Sequence, residues 1–278
     1  TCDYHCALRR TWTAVDDAGN SADCTQVTPG VDTVAPVLSG CPSPTATYQC
    51  FSLVPPAPTV TALDACEGAL TVNYTQTQSA PGSSCNNTIT RTWTATDACG
   101  NSASCSQTIT VNDTTPPTLQ DCPTTALTLE CAAAGNAAAI TSWLALVSGT
   151  DNCGPATVTN NYSASGFSDL CGNTGTQVVT WTATDACGLT STCSQTIAIV
   201  DTTPPVLQNC PTTALVLECD TTAIAAWLAA VSATDLCGSA AVTNNYSPSR
   251  FSDGCGSTGT QVVTWTATDL CGLTATRS

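Results

Sequence analysis

Two residue types in this chain of 278 residues recur at spacings that could do chemistry. The first is aspartate. Asp32, Asp113 and Asp201 open Thr-Pro linkers, while Asp64, Asp151, Asp235, Asp97, Asp185 and Asp269 each stand two residues before a cysteine in a short turn. Three sets are expected to gather: Asp32 with Asp64 and Asp97, Asp113 with Asp151 and Asp185, Asp201 with Asp235 and Asp269. Carboxylates crowded together repel unless a hard cation sits among them. Calcium takes about 6–8 oxygens, backbone carbonyls included, and suits such an irregular site. The competing reading is plain turn capping, because an Asp side chain accepts from backbone N–H groups just ahead of it. No other cofactor is expected.

The second residue type is cysteine, present 20 times. That number fits an oxidising, extracellular compartment. Neither a C-x-x-C pair nor a histidine partner in a zinc pattern occurs. The single histidine, His5, lies between Cys2 and Cys6, a weak candidate metal set. With one histidine, no lysine and cysteines expected to be oxidised, an enzyme's nucleophile, base and oxyanion partners are hard to assemble. We expect no enzymatic activity.

Composition excludes further classes. A net charge of −15 without lysine cannot hold a nucleic-acid backbone. No apolar run reaches the ~20 residues of a membrane-spanning helix. Hydrophobic residues make up 42 % and charged residues only 9 %, so the acidity does not mean disorder.

The elements that must position these residues come in repeats. TWTA recurs at Thr11, Thr92, Thr180 and Thr264, and CP at Cys41, Cys122 and Cys210. Segments 151–190 and 235–274 share 32 of 40 residues. The units are 1–34 (the last part of a repeat), 35–115, 116–203 and 204–278 (lacking its last strand), a pattern expected of a section cut from a longer repetitive chain. Strict alternation, as in Thr92–Thr96, reads as strands with Trp12, Trp93, Trp181 and Trp265 in the core. Short strands and turn clusters in units of 81–88 residues imply all-β, immunoglobulin-like sandwich modules in tandem. Alanine-rich segments 136–147 and 221–231, carrying Trp143 and Trp227, read as short helices inserted in the second and third full-size units. Val54-Pro55-Pro56 replaces them in the first, since proline forbids a helix there. The helix is a candidate lateral contact. Thr-Pro-Pro linkers are stiff, so a rod on the order of 100 Å is expected from about 3.3 Å per strand residue.

DTTPP with CP at the start of a unit, and TWTATDACGNSASCSQTITV at its end, resemble the hyalin-repeat (HYR) modules. The cysteine-rich variant, with its WLA segment and CGNTGT turn, is similar to repeats of giant Bacteroidota cell-surface proteins exported by type IX secretion. The resemblance implies an extracellular adhesive or architectural role. Departures are Ala18 where Cys99 and Cys187 stand, and Arg277 where Cys105 and Cys193 stand.

Six cysteines per unit allow 15 connectivities. The topology of an immunoglobulin-like module favours pairs within each unit: Cys41–Cys105, Cys50–Cys85 and Cys66–Cys99. By homology the next unit would have Cys122–Cys193, Cys131–Cys171 and Cys153–Cys187, and the last Cys219–Cys255 and Cys237–Cys271, with Cys210 left over. Asp-Thr at Thr33, Thr114, Thr202 and Thr221 resembles the Bacteroidota O-glycosylation sequon.

The expected function is the shaft of a long cell-surface filament or adhesin, stapled against force and proteases. Identical chains in a fibre or bundle are the expected partners, with other surfaces or glycans met elsewhere in the parent. The alternative is a carbohydrate- or other ligand-binding module, which exposed, unrepeated aromatics would favour.

Overall fold

Threonine alternating with Trp, Ala, Ile and Val gives each repeat one long hairpin with an apolar face, and the rest of the module assembles on it. The computed structural model describes residues 8–28, 30–131, 136–217, 222–250 and 259–278. Its internal contacts divide the chain into one unit of Thr1–Pro116, Asp151–Pro155 and Asp185–Leu189, and a second of Pro117–Thr150, Ala156–Thr184 and Thr190–Ser278. Loops 151–155 and 185–189 thus group with the first unit.

The first unit begins with an antiparallel hairpin, β1 (Leu8–Val15) and β2 (Ser21–Thr28), with Trp12 opposite Cys24. Every residue of both strands is exposed. Trp12 is 51 % exposed, whereas Trp93 is 3 %. This corrects the expectation that all four TWTA tryptophans are core: among the described residues no second sheet covers this hairpin. Next come β3 (Val37–Ser39), β4 (Thr45–Tyr48), β5 (Thr61–Asp64), β6 (Gly68–Leu70), β7 (Asn73–Gln78), β8 (Asn87–Thr96) and β9 (Ser102–Val111). They form two sheets, β3-β5-β6 and β4-β9-β8-β7, with β4 parallel to β9. The inward face of the longer sheet carries Ile89, Trp93, Ala95, Ile109 and Val111, all buried. The proline segment closes this core with a polar device. Buried Arg91 donates from Nη2 to the Pro55 carbonyl at 2.7 Å and from Nε to Gln76 Oε1 at 3.1 Å.

The second unit repeats the plan with β10 (Thr118–Gln120), β11 (Leu127–Glu130), α1 (Asn136–Leu144), β12 (Ser148–Thr150), β13 (Thr157–Asn160), β14 (Ser168–Asp169), β15 (Gly175–Thr184) and β16 (Thr190–Val200). β11 runs parallel to β16, as β4 does to β9. Here Val179 stands where Arg91 stood, and helix α1 replaces the prolines. Ile140 and Trp143 of α1 are buried, Trp143 meets Trp181 edge-on at 4.8 Å, and the Trp181 Nε1–H donates to the Leu144 carbonyl at 3.1 Å. One face of the helix therefore covers the core, while Ala137, Ala138, Thr141 and Ser142 stay exposed on the other. A second copy follows: β17 (Val206–Gln208), α2 (Thr222–Ala229), β18 (Ser232–Thr234), β19 (Ala240–Asn244), β20 (Trp265–Asp269) and β21 (Thr274–Arg277). Trp227 and Trp265 repeat the 4.8 Å edge contact. No helix among the described residues is long and apolar enough to cross a membrane. The architecture is all-β and immunoglobulin-like, with two short helices.

Candidate metal centres and the disulfide network

Every recurrent aspartate caps its own turn with one oxygen. Asp64, Asp151 and Asp235 each accept the N–H of the cysteine two residues on at 2.7 Å, and Asp185 and Asp269 do so at 2.8 Å. In the linkers Asp32 accepts from Val34, Asp113 from Thr115 and Asp201 from Thr203, at 2.9 to 3.1 Å. The capping reading accounts for these oxygens. It leaves the others. Asp64 Oδ2, Asp151 Oδ1, Asp185 Oδ2, Asp201 Oδ2 and Asp269 Oδ2 are buried with no hydrogen-bond partner. A buried acceptor without a donor costs about 1–3 kcal/mol, and more when it is charged.

Asp97 is different, and one residue explains it. Asn101 donates from Nδ2 to Asp97 Oδ2 at 2.8 Å and to the Asp32 carbonyl at 3.0 Å, while its N–H satisfies Oδ1. Burial pushes the Asp97 carboxyl up, but these bonds from Asn101, with the N–H groups of Cys99 and Gly100, hold it below the usual range. Asp16 and Asn20 share the arrangement. Leucine occupies the same place in the later repeats, as Leu189 and Leu273, and donates only its backbone N–H to Asp185 and Asp269. A leucine side chain has no donor, so the second oxygen stays bare.

Carboxylates converge in pairs across turns. A carboxylate oxygen of Asp201 lies within 4.8 Å of one from Asp269, and the same holds for Asp32 with Asp64 and for Asp113 with Asp151. Burial raises the Asp201 carboxyl above its ordinary range, and the charges of Asp235, Asp269 and Glu130 raise it further. A cavity of about 200 Å³ opens beside Asp113 and Asp151, lined also by Ser83, Ser84 and Gly154. Cysteine sulfurs of Cys66, Cys153 and Cys271 adjoin the clusters, but they are tied in disulfides and offer no thiolate. The donor set is oxygen alone. Asp201 and Asp269 lie together, and the charge of Asp235 acts on Asp201. Asp97 is instead closed off by Asn101, and Asp185 contributes a bare oxygen in the turn 185–189. Glu130, which the sequence did not single out, accepts from Thr202 N–H at 2.8 Å and Thr202 Oγ1 at 2.9 Å, and so pins the linker beside Asp201. The backbone bond comes first among those that hold its carboxyl below the usual range.

Six disulfides join described residues to one another, with Cα atoms 4.9 to 6.5 Å apart. Cys41–Cys105 and Cys122–Cys193 each lie within a repeat. The other four do not. Cys50 bonds Cys153, Cys85 bonds Cys187, Cys131 bonds Cys237 and Cys171 bonds Cys271. This overturns the expected Cys50–Cys85, Cys131–Cys171, Cys153–Cys187 and Cys237–Cys271. Module topology placed each pair of cysteines at one end of a sandwich, and their nearness there suggested a bond. What sits opposite them, however, is the D-x-C turn of the next repeat. In the first unit the Asn152 carbonyl lies 3.4 Å from the Cys50 sulfur. In the second, Gly172 holds φ +58° and its backbone presses on the Cys237 carbonyl so closely that a Cβ would collide with it. Cys66 and Cys99, at the positions of Cys153 and Cys187, are also disulfide-bonded. They were expected to join each other, but their counterparts do not. Cys24 and Cys210 are free thiols. Cys2, His5, Cys6, Cys219 and Cys255 lie outside the described residues, as does Thr221. Thr33, Thr114 and Thr202 are exposed; Thr202 Oγ1 is engaged by Glu130, and Thr114 Oγ1 accepts from Gln49 Nε2 at 3.0 Å.

Residues 41–111 match the family described as HYR-like domain with 4 cysteines, a segment that here holds six. No curated protein matches the chain. Solved structures similar to it include protocadherin gamma B7 extracellular cadherin domains 1–4 (14 % identity, 98 % of this chain, 82 % of that one, TM-score 0.37). Another is the protocadherin gammaB7 EC3–6 cis-dimer (15 % identity, 97 % and 83 %, TM-score 0.32).

Proposed function

We propose that this chain is a shaft segment of a long extracellular filament or adhesin, and that its TWTA strands form a covalent line that carries tension. The observation behind this reading is the pairing of Cys85 with Cys187 and of Cys171 with Cys271. Each bond joins the end of one TWTA strand to the end of the next. Cys171 and Cys187 flank β15 sixteen residues apart, and ten of those residues are already extended as a strand. Force entering at Cys85 has a bypass through β15 to Cys271 and need not travel along the linkers or the outer strands. A strand that is already extended has little length to yield, so the modules cannot unravel under load. Cys50–Cys153 and Cys131–Cys237 add a second crossing at each step.

Acidity, absence of lysine and dense cross-linking suit a surface exposed to proteases. Threonine-rich exposed strand faces suit packing beside identical chains. The resemblance to Bacteroidota surface repeats supports a parent on a cell surface, with type IX secretion as its route.

Single-molecule pulling of the oxidised chain tests the load line. Fully extended backbone spans about 3.3–3.6 Å per residue, so the stretch from Cys85 to Cys271 should open to only about 55 Å through the bypass, against about 650 Å after reduction. Equal extension with and without reductant would overturn the reading.

A further inference from the structure

The carboxylate clusters are independent of the load line and carry a separate inference. We propose that Asp201 and Asp269 hold a calcium ion, that Asp113 and Asp151 hold a second, and that the residue four positions after Asp185 or Asp269 decides whether a full site forms. The charge of Asp235 acts on Asp201.

An aspartate in these turns must find partners for two oxygens. The first is consumed by the turn in every repeat, so only the second distinguishes the sites. In the earlier turn Asn101 supplies one amide nitrogen to both Asp97 Oδ2 and the linker carbonyl of Asp32. A single neutral amide donor thus bridges a carboxylate and a linker carbonyl, the two kinds of oxygen that a hard cation would gather. Where leucine replaces asparagine, no side-chain donor of that residue bridges them. Asp269 is then 7 % exposed and Asp185 8 %, each with a bare oxygen. Asp201 adds a third bare oxygen, and one of its carboxylate oxygens lies within 4.8 Å of one from Asp269. Buried anions at this distance without a donor are too costly to be left uncompensated. Oxygen donors, no histidine among the described residues and oxidised sulfurs disfavour the softer metals. Magnesium demands a regular octahedron, whereas turns and linker carbonyls make an irregular shell that calcium accepts. The asparagine side chain stands in for the ion at the first position. There Asp32 and Asp64 are left as a two-carboxylate remnant, with Asp64 Oδ2 bare and only 3 % of the residue exposed. That remnant should bind more weakly, because fewer carboxylates are free.

The test is calorimetric titration of the oxidised full chain with calcium chloride after dialysis against a chelator. The titration runs to about 10 mM, beyond the roughly 10⁻⁴–10⁻³ M range of extracellular calcium modules. Two sites of similar affinity and a weaker third are expected, with magnesium binding far less. Leu273→Asn keeps every charge and donates to Asp269 Oδ2; it should weaken one of the two strong sites about tenfold or more. Asn101→Leu should strengthen the weak one. Disulfide mapping and circular dichroism on both variants establish that they fold. No saturable calcium heat, or a Leu273→Asn chain that folds and binds as the parent does, would overturn the proposal.

Discussion

Repeats 35–115 and 116–203 solve the same packing problem with different chemistry. In the first, Pro55 and Pro56 cannot form a helix, so the space over the long sheet is filled by a chain segment whose bare carbonyl must be met, and Arg91 meets it. In the second, an alanine-rich helix brings Trp143, and the facing position becomes Val179. The turns differ in parallel: Asn101 closes Asp97, and Leu189 leaves Asp185 open. A repeat unit therefore changes in matched sets. A polar cover goes with a buried cation, and an apolar cover with an apolar partner, because a mismatched pair leaves a buried polar group without its bond.

Truncating the apolar cover should show the largest effect. Trp143→Ala removes a buried indole and its edge contact with Trp181, and should cost about 3–5 kcal/mol, read by urea unfolding with disulfides intact. In the polar counterpart, Arg91→Val strands the Pro55 carbonyl and should cost about 1–3 kcal/mol in the same assay. An unchanged midpoint for Arg91→Val would break the idea of matched sets. Gly172→Ala tests the close approach to Cys237. With φ positive and no room for a Cβ, a destabilisation of about 1–3 kcal/mol is expected, along with slower closure of Cys171–Cys271 on oxidative refolding.

The turns predict opposite pH responses in calcium-free buffer. Asp97 has a lowered carboxyl, so its contribution is present above the unfolded value near 3.8 and is lost as pH falls through the folded one. Asp201 has a raised carboxyl, so its contribution is present below 3.8 and is lost as pH rises through the folded value. Titrating the two carboxyls by carbon-13 NMR should place Asp97 below and Asp201 above 3.8, and Asn101→Leu should raise the first. The smallest effect is expected at Trp12. It is half exposed on a hairpin, so Trp12→Phe should shift stability by under about 0.5 kcal/mol, whereas the same change at Trp93 should be plainly measurable.

Much of this was legible in the residues. Alternation around TWTA marks β8, β15 and β20, because a strand with one buried face must read that way. Proline at 55 and 56 and alanine at 137–139 announce the exchange of loop for helix. The aspartates were legible as turn formers, but their inequality depends on more than the turn itself. It rests on whether position 101, 189 or 273 carries a donor. That signal was present as TDACGN against TDACGL, and it acquires meaning only once a second carboxylate oxygen is known to be buried.

The sequence by itself determined the strand pattern, the repeat and a cysteine content dense enough for extensive pairing, because periodicity and composition are local properties of a chain. Tertiary structure alone decided which cysteines bond across repeats and which carboxylates are left bare. A disulfide needs its Cα atoms within about 4.4–6.8 Å, and a carboxylate is costly only when water is kept from it. Both conditions depend on what faces a turn from a distant part of the chain. That is why Cys50 bonds Cys153, from the following repeat, and not Cys85 in its own.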